Sequence, residues 1–154
     1  MIEITKSETA DTRTCDYEKI SEDKLLASSL THIQDVAKAL AFFNTYLLEA
    51  AARHDYDKLT EIEWFHADFR TGFRETSWWD NHRKIHRHHL AQKDGVPEDV
   101  NLLDVLEYIA DCVMAGMARS GEVYELDVLP GMLLTAFNNT VKLLKDQIVV
   151  KEPK

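Results

Sequence analysis

Apolar residues return every three or four positions across one long stretch: Ile33, Val36, Ala37, Leu40, Phe43, Leu47, Leu48 and Ala51. That spacing follows the 3.6-residue turn of an α-helix and draws a single stripe along it. Five glycines and three prolines in 154 residues leave few enforced breaks. The helical pattern continues through most of the chain. The expectation is an all-α, single-domain bundle of about five to six helices with short, roughly antiparallel connections. Helices are expected at 19–28, 29–53, 60–69, 77–92, 102–119 and 129–148. Ser29 or Thr31 is the expected cap of the second, Thr60 and Glu63 have capping-box spacing, and Ser120-Gly121 suits a helix end. Residues 1–18 read as a polar arm in which MIEIT forms a short strand, and residues 19–150 as the helical domain. VVKEPK is expected to fray.

No apolar run approaches the ~18 residues of a membrane span. The N-terminus has neither the basic start nor the apolar core of a signal peptide. A cytoplasmic location is therefore expected. Two cysteines, Cys15 and Cys112, are too few for a disulfide scaffold. A net charge of −9 argues against a general nucleic-acid binder. It leaves room for a small anionic substrate, because Arg70, Arg74, Arg83, Lys84 and Arg87 are locally dense. The same side chains would equally serve to balance nearby acids.

The densest chemical feature is WWDNHRKIHRHHL, at 78–90. His82, His86, His88 and His89 fall here, four of the seven histidines of the chain. Imidazole gathers for metal ligation or for proton transfer near neutral pH. On one continuous helix His82, His86 and His89 would stand on one side, with His88 about a third of a turn away. They cannot all reach one ion from such a helix.

Other polar residues join them. His32 begins the first long helix, His54-Asp55 ends it, and Asp111 lies in the apolar stretch LLDVLEYIADCVMAGM. A buried carboxylate is costly unless it is paired or binds metal. The order His32, His54-Asp55, Asp111 resembles the H…HD…D signature of the HD-domain superfamily, helical metal-dependent phosphohydrolases. A closer resemblance is to a mostly phage and bacterial family of small proteins. Its members carry HDxSK followed by E-F, then WxxHxxxNxHH, then ExxADWxGAG. Here these appear as HDYDKLTEIEW, WWDNHRKIHRHHL and EYIADCVMAGM, over about residues 30–120. Asp57 stands where the pattern has Ser, His86 where it has Asn, and Cys112 where it has Trp.

The resemblance implies one or two divalent transition-metal ions (Mn, Zn, Fe, Co or Ni) held by His32, His54, Asp55, Asp111, His82 and one or both of His88 and His89. His86 ranks lower because the pattern has Asn there. It implies hydrolysis of a small phosphate ester, a nucleotide foremost, by metal-activated water. Asp55, Lys58 and Glu63 are then the catalytic candidates. Lys58, Arg83, Arg87 and Trp79 are candidates for substrate contact, and Glu107 for orienting a ligand histidine. Two other outcomes remain open: a di-iron oxygenase, and a non-catalytic metal-binding or partner-binding module. The final helix is one candidate surface for a homodimer.

Overall fold

In the computed structural model, residues 1–7, 10, 12–75 and 77–153 are described. They are mostly helical and gather into two compact units, Met1–Thr45 with Lys142–Lys154, and Tyr46–Val141. No helix among them is long and apolar enough to cross a membrane.

In the first unit, strand β1 (Ile2–Thr5) pairs in parallel with β2 (Ile148–Lys151), so that Ile2 meets Ile148 and Thr5 meets Lys151. The β-branched residues of IEIT and IVVK favour this pleated pairing. The expected N-terminal strand is present. The expected fraying tail is its partner instead. Lys151 Nζ lies 2.6 Å from Glu3 Oε2 across the pair. Helix α1 (Glu22–Arg53) runs unbroken through the point where a boundary at Ser29 is expected. The hydroxyls that looked like caps turn back into the helix: Ser29 Oγ donates to the Leu25 carbonyl at 2.9 Å and Thr31 Oγ1 to that of Ala27 at 3.0 Å.

The second unit takes the end of α1 from Tyr46, then α2 (Asp57–Thr60), α3 (Ile62–Arg70), α4 (Trp78–Ile85), α5 (Leu102–Ser120) and α6 (Met132–Lys145) as far as Val141. The expected Thr60–Glu63 capping box does not form, because Thr60 Oγ1 bonds the Tyr56 carbonyl at 3.3 Å and the chain turns again at Glu61. The box forms at α5. Asn101 Oδ1 accepts from the Leu103 and Asp104 amides, and Asp104 Oδ2 accepts from the Asn101 amide. Gly121 closes α5 at φ 74°, the left-handed geometry that glycine adopts without penalty. The core cluster is Leu90, Val100, Val105, Tyr108, Met132 and Ala136.

The α1 stripe is the largest departure from expectation. It reads as core, yet Ile33, Val36, Leu40 and Leu48 are exposed in the isolated chain. On α5, Met114 is exposed, whereas Tyr108 is buried.

Candidate metal centre

The histidine cluster does not lie on one helix. α4 stops at Ile85, and His86 is already extended, at φ −99° and ψ 115°. Two arginines fasten the segment that follows. Arg83 reaches Asp80, Gln92 and Asp94, at 2.8–2.9 Å. Arg87 grips Asp104 through both Nε and Nη2, at 2.7 and 2.8 Å, and also Asp99. The latter contacts hold its pKa above the ordinary arginine value. Gly95 then passes so close that a Cβ there would lie 2.3 Å from the His89 carbonyl oxygen. Only glycine fits, and Leu90 drops into the core behind it. The helix-face argument for choosing among His82, His86 and His89 fails for this reason. Ending the helix lets His88 and His89 fold back toward His82 instead of climbing past it.

Asp55 arrives from the other side. It follows α1 and His54 at φ 51°, a left-handed geometry that Asp tolerates better than most residues. Its Oδ1 lies 3.4 Å from His82 Nε2 and 3.4 Å from His88 Nε2. Ligand atoms of Asp55, His82, His88 and His89 all fall within 4.8 Å of one another. Four of these atoms (Asp55 Oδ1 and the Nε2 of His82, His88 and His89) are buried without a hydrogen-bond partner. Leaving a buried polar atom unsatisfied costs ~1–3 kcal/mol, so four together call for a common partner.

The tautomers decide what that partner is. His82 Nδ1 sits 2.8 Å from Asp57 Oδ2, and His88 Nδ1 sits 3.0 Å from Glu107 Oε1. Burial works against charge on both carboxyls, yet the imidazole contacts hold their pKa values below the ordinary range. An ionised carboxylate only accepts, so each Nδ1 carries the proton and each Nε2 presents a lone pair. Burial also keeps His82 neutral against the pull of Asp57. His89 is pushed down to about 3, by burial first and then by His88 and His82. Lone pairs converging on one point repel unless a cation lies between them. Separations of 3.4 Å match the edge of a tetrahedron with bonds of about 2.1 Å, the usual length for zinc with nitrogen or oxygen. The donor set fits a divalent transition metal, with each of two ligand histidines oriented by a carboxylate.

A second, more open group adjoins the first. Glu107 Oε1 also accepts from His54 Nδ1 at 3.0 Å, which leaves His54 Nε2 facing Asp111 Oδ1 at 3.6 Å and Asp55 Oδ2 at 3.7 Å. The Lys58 ammonium donates to Asp55 Oδ2. It helps to hold the Asp55 carboxyl below its ordinary pKa, although burial pushes the other way. His54, Glu107 and Asp111 form the polar end of a cavity of about 510 Å³, whose walls include Leu47, Ala50, Leu106, Ala110 and Met114.

The structure therefore gathers His54, Asp55, Lys58, His82, His88, His89, Glu107 and Asp111. It does not gather His32, which is exposed on α1 and joins no ligand group. An HD-type pairing with His54 would need a break in α1, since a helix separates its residues by about 1.5 Å for each position. Glu63 is exposed on α3 and stands apart from these groups. Its neighbour Glu61 is used instead, accepting from Trp78 Nε1 at 3.1 Å. Arg83 and Arg87 bind the carboxylates that brace the loop. Trp79 packs its ring against those of His82 and His89, forming a wall of the centre. Compared with known proteins, the chain matches no family model, no curated protein and no solved structure. The functional reading rests on these residues.

Two residues that matter were missed in the sequence. Asp57 is buried and accepts from His86 Nε2 at 2.8 Å as well as from His82. Its signal was available, as an acid two residues beyond the HD pair. Gly95 looked like an ordinary turn residue, and nothing in the local sequence announces its approach to His89.

The depressed pKa of His89 gives a pH prediction for the metal-free protein. In the unfolded chain His89 takes a proton near pH 6.5, and in the folded chain only near pH 3. Between those values the unfolded state binds more protons, so stability falls as pH falls. Denaturant melts in chelator at pH 6 and pH 5 should show a His89→Gln slope shallower than wild type by up to ~1.4 kcal/mol per pH unit. Equal slopes would mean that His89 is not held neutral.

Proposed function

We propose that the chain is a metal-dependent hydrolase of small phosphate esters. The observation that carries this reading is the set of four buried polar atoms without hydrogen-bond partners on Asp55, His82, His88 and His89. A transition-metal ion bound there supplies Lewis acidity and lowers the pKa of coordinated water toward ~7. His54 and Asp111, at the cavity end, are placed to take up and return a proton. The Lys58 ammonium is placed to offset charge on a phosphoryl oxygen. The cavity walls suit the organic part of the ester, and nucleotides are the first class to try.

A second reading has its own support. Four protein donors can close a tetrahedral site completely, as structural zinc sites do. In that case the ion holds the post-α4 segment in place and does no chemistry. Phosphate release separates the two. With Mn²⁺, Co²⁺ or Ni²⁺ and a panel of nucleotides and simple aryl phosphates, the hydrolase should release phosphate, and Lys58→Ala should slow release about 10²-fold. Retained metal with no release from any ester would leave the structural reading.

A further inference from the structure

The two ligand groups meet at one side chain, Asp55, which divides its oxygens between them. Oδ1 is the buried oxygen that faces His82 and His88. Oδ2 turns toward His54 Nε2, at 3.7 Å. Asp111 Oδ1 lies 3.6 Å from the same nitrogen, and ligand atoms of His54, Asp55 and Asp111 fall within 4.8 Å of one another. His54 Nδ1 donates to Glu107, so Nε2 presents its lone pair here as well. By its donors alone this group could take a second ion, with Asp55 as the bridge. Two-metal sites hold their ions about 3.5–4 Å apart in this way.

A cation of the chain itself already takes the bridging oxygen. Lys58 Nζ donates to Asp55 Oδ2. Local structure fixes the contact. The Lys58 amide donates to the Asp55 carbonyl at 3.0 Å, so the turn that carries the carboxylate also carries the ammonium. The side chains of Lys58 and Asp55 are 35% and 17% exposed, and charges partly withdrawn from water are screened less. A second divalent ion on Oδ2 has to displace Lys58 or bear its repulsion. The first group meets no such competitor, because its four buried atoms have no hydrogen-bond partner. We infer that Lys58 is a built-in substitute for a second ion and holds the centre at one metal. The inference rests on the metal centre of the proposed function and on no step of hydrolysis. It narrows the one or two ions implied by the resemblance to one. It also gives Lys58 the place that the second ion has in two-metal sites, beside a charged reacting oxygen.

The test counts ions on the full chain. Metal-free protein is dialysed to equilibrium against Mn²⁺, the bound metal is counted, and electron paramagnetic resonance is read on the same samples. Wild type should bind one equivalent and give the spectrum of an isolated ion. Lys58→Met keeps much of the side chain and removes its charge. It should bind two, with a spin-coupled spectrum and a second ion at least ~10-fold tighter than any second binding by wild type. Lys58→Arg keeps the charge and should stay at one. Lys58→Met with Asp111→Asn should return to one, which assigns the second ion to the His54 side. Two equivalents in wild type overturn the inference, as does one equivalent in a folded Lys58→Met protein. Should Lys58→Met lose its fold, Asp111→Asn alone decides the matter. One equivalent in both it and wild type upholds the inference, and a fall from two to one overturns it. No metal on wild type overturns the metal centre and this inference together, whereas an unchanged count in Lys58→Met overturns the inference and leaves the centre standing. The slower phosphate release expected of Lys58→Ala is read at one equivalent of metal, before the second position fills.

Discussion

Asp55→Ala and His88→Ala protein should emerge from purification with almost no transition metal, whereas wild type, His86→Ala and His32→Ala carry about one or two equivalents. Elemental mass spectrometry on the four variants beside wild type checks this directly. The contrast between neighbouring histidines is what makes it informative. His88 has its Nδ1 on Glu107 and its Nε2 aimed at Asp55 without a hydrogen bond. His86 spends its Nε2 on Asp57 and has no atom free on that side. A simple histidine-rich surface would lose metal in proportion to the histidines removed. The centre described here loses nearly all of it with one and little with the other. Loss of a direct ligand should exceed the ~10–100-fold that loss of an orienting hydrogen bond costs. Equal metal content in all variants would sink the centre and leave the cluster as a packed imidazole core. Iron in place of zinc or manganese, with colour, would redirect the chemistry toward oxygen activation.

Much of the helical content was legible, because period and caps are local. α5 (Leu102–Ser120) closes on Gly121, as Ser120-Gly121 signals in the sequence. The last stretch of the histidine helix was not legible. Nothing in KIHRHHL forbids a helix, and the decision lies in tertiary contacts of Arg83, Arg87 and Gly95 with residues up to seventeen positions away. Asp111 stood out because an acid in an apolar stretch needs a partner, and His54-Asp55 through the order H…HD…D along the chain. His32 was assigned by order along the chain alone, and chain order does not bend a helix. The α1 stripe reads as core from its period, yet Ile33, Val36, Leu40 and Leu48 are exposed. Periodicity reports that a face is apolar and does not by itself say what packs against it.

The second large effect is expected at Asp57. It is buried among two imidazoles and supports both, with His82 Nδ1 at 2.8 Å and His86 Nε2 at 2.8 Å. Asp57→Ala removes the acceptor and strands two buried N–H groups. Breaking such a pair costs about 3–5 kcal/mol, and a thermal melt should show a large drop. Metal affinity should also fall, by ~10–100-fold, since His82 loses the contact that fixes its tautomer. A sharper version replaces both partners of one contact. Asp57 and His86 touch each other, His86 Nε2 lying 2.8 Å from Asp57 Oδ1. A buried histidine needs the carboxylate, whereas an asparagine and a serine can satisfy one another as neutral partners. Asp57→Ser alone should therefore destabilise strongly, and Asp57→Ser with His86→Asn should recover part of the loss. A coupling of about 1 kcal/mol or more in the double-mutant cycle is expected from residues in direct contact. Additive losses would mean that His82 alone is what Asp57 is there to hold.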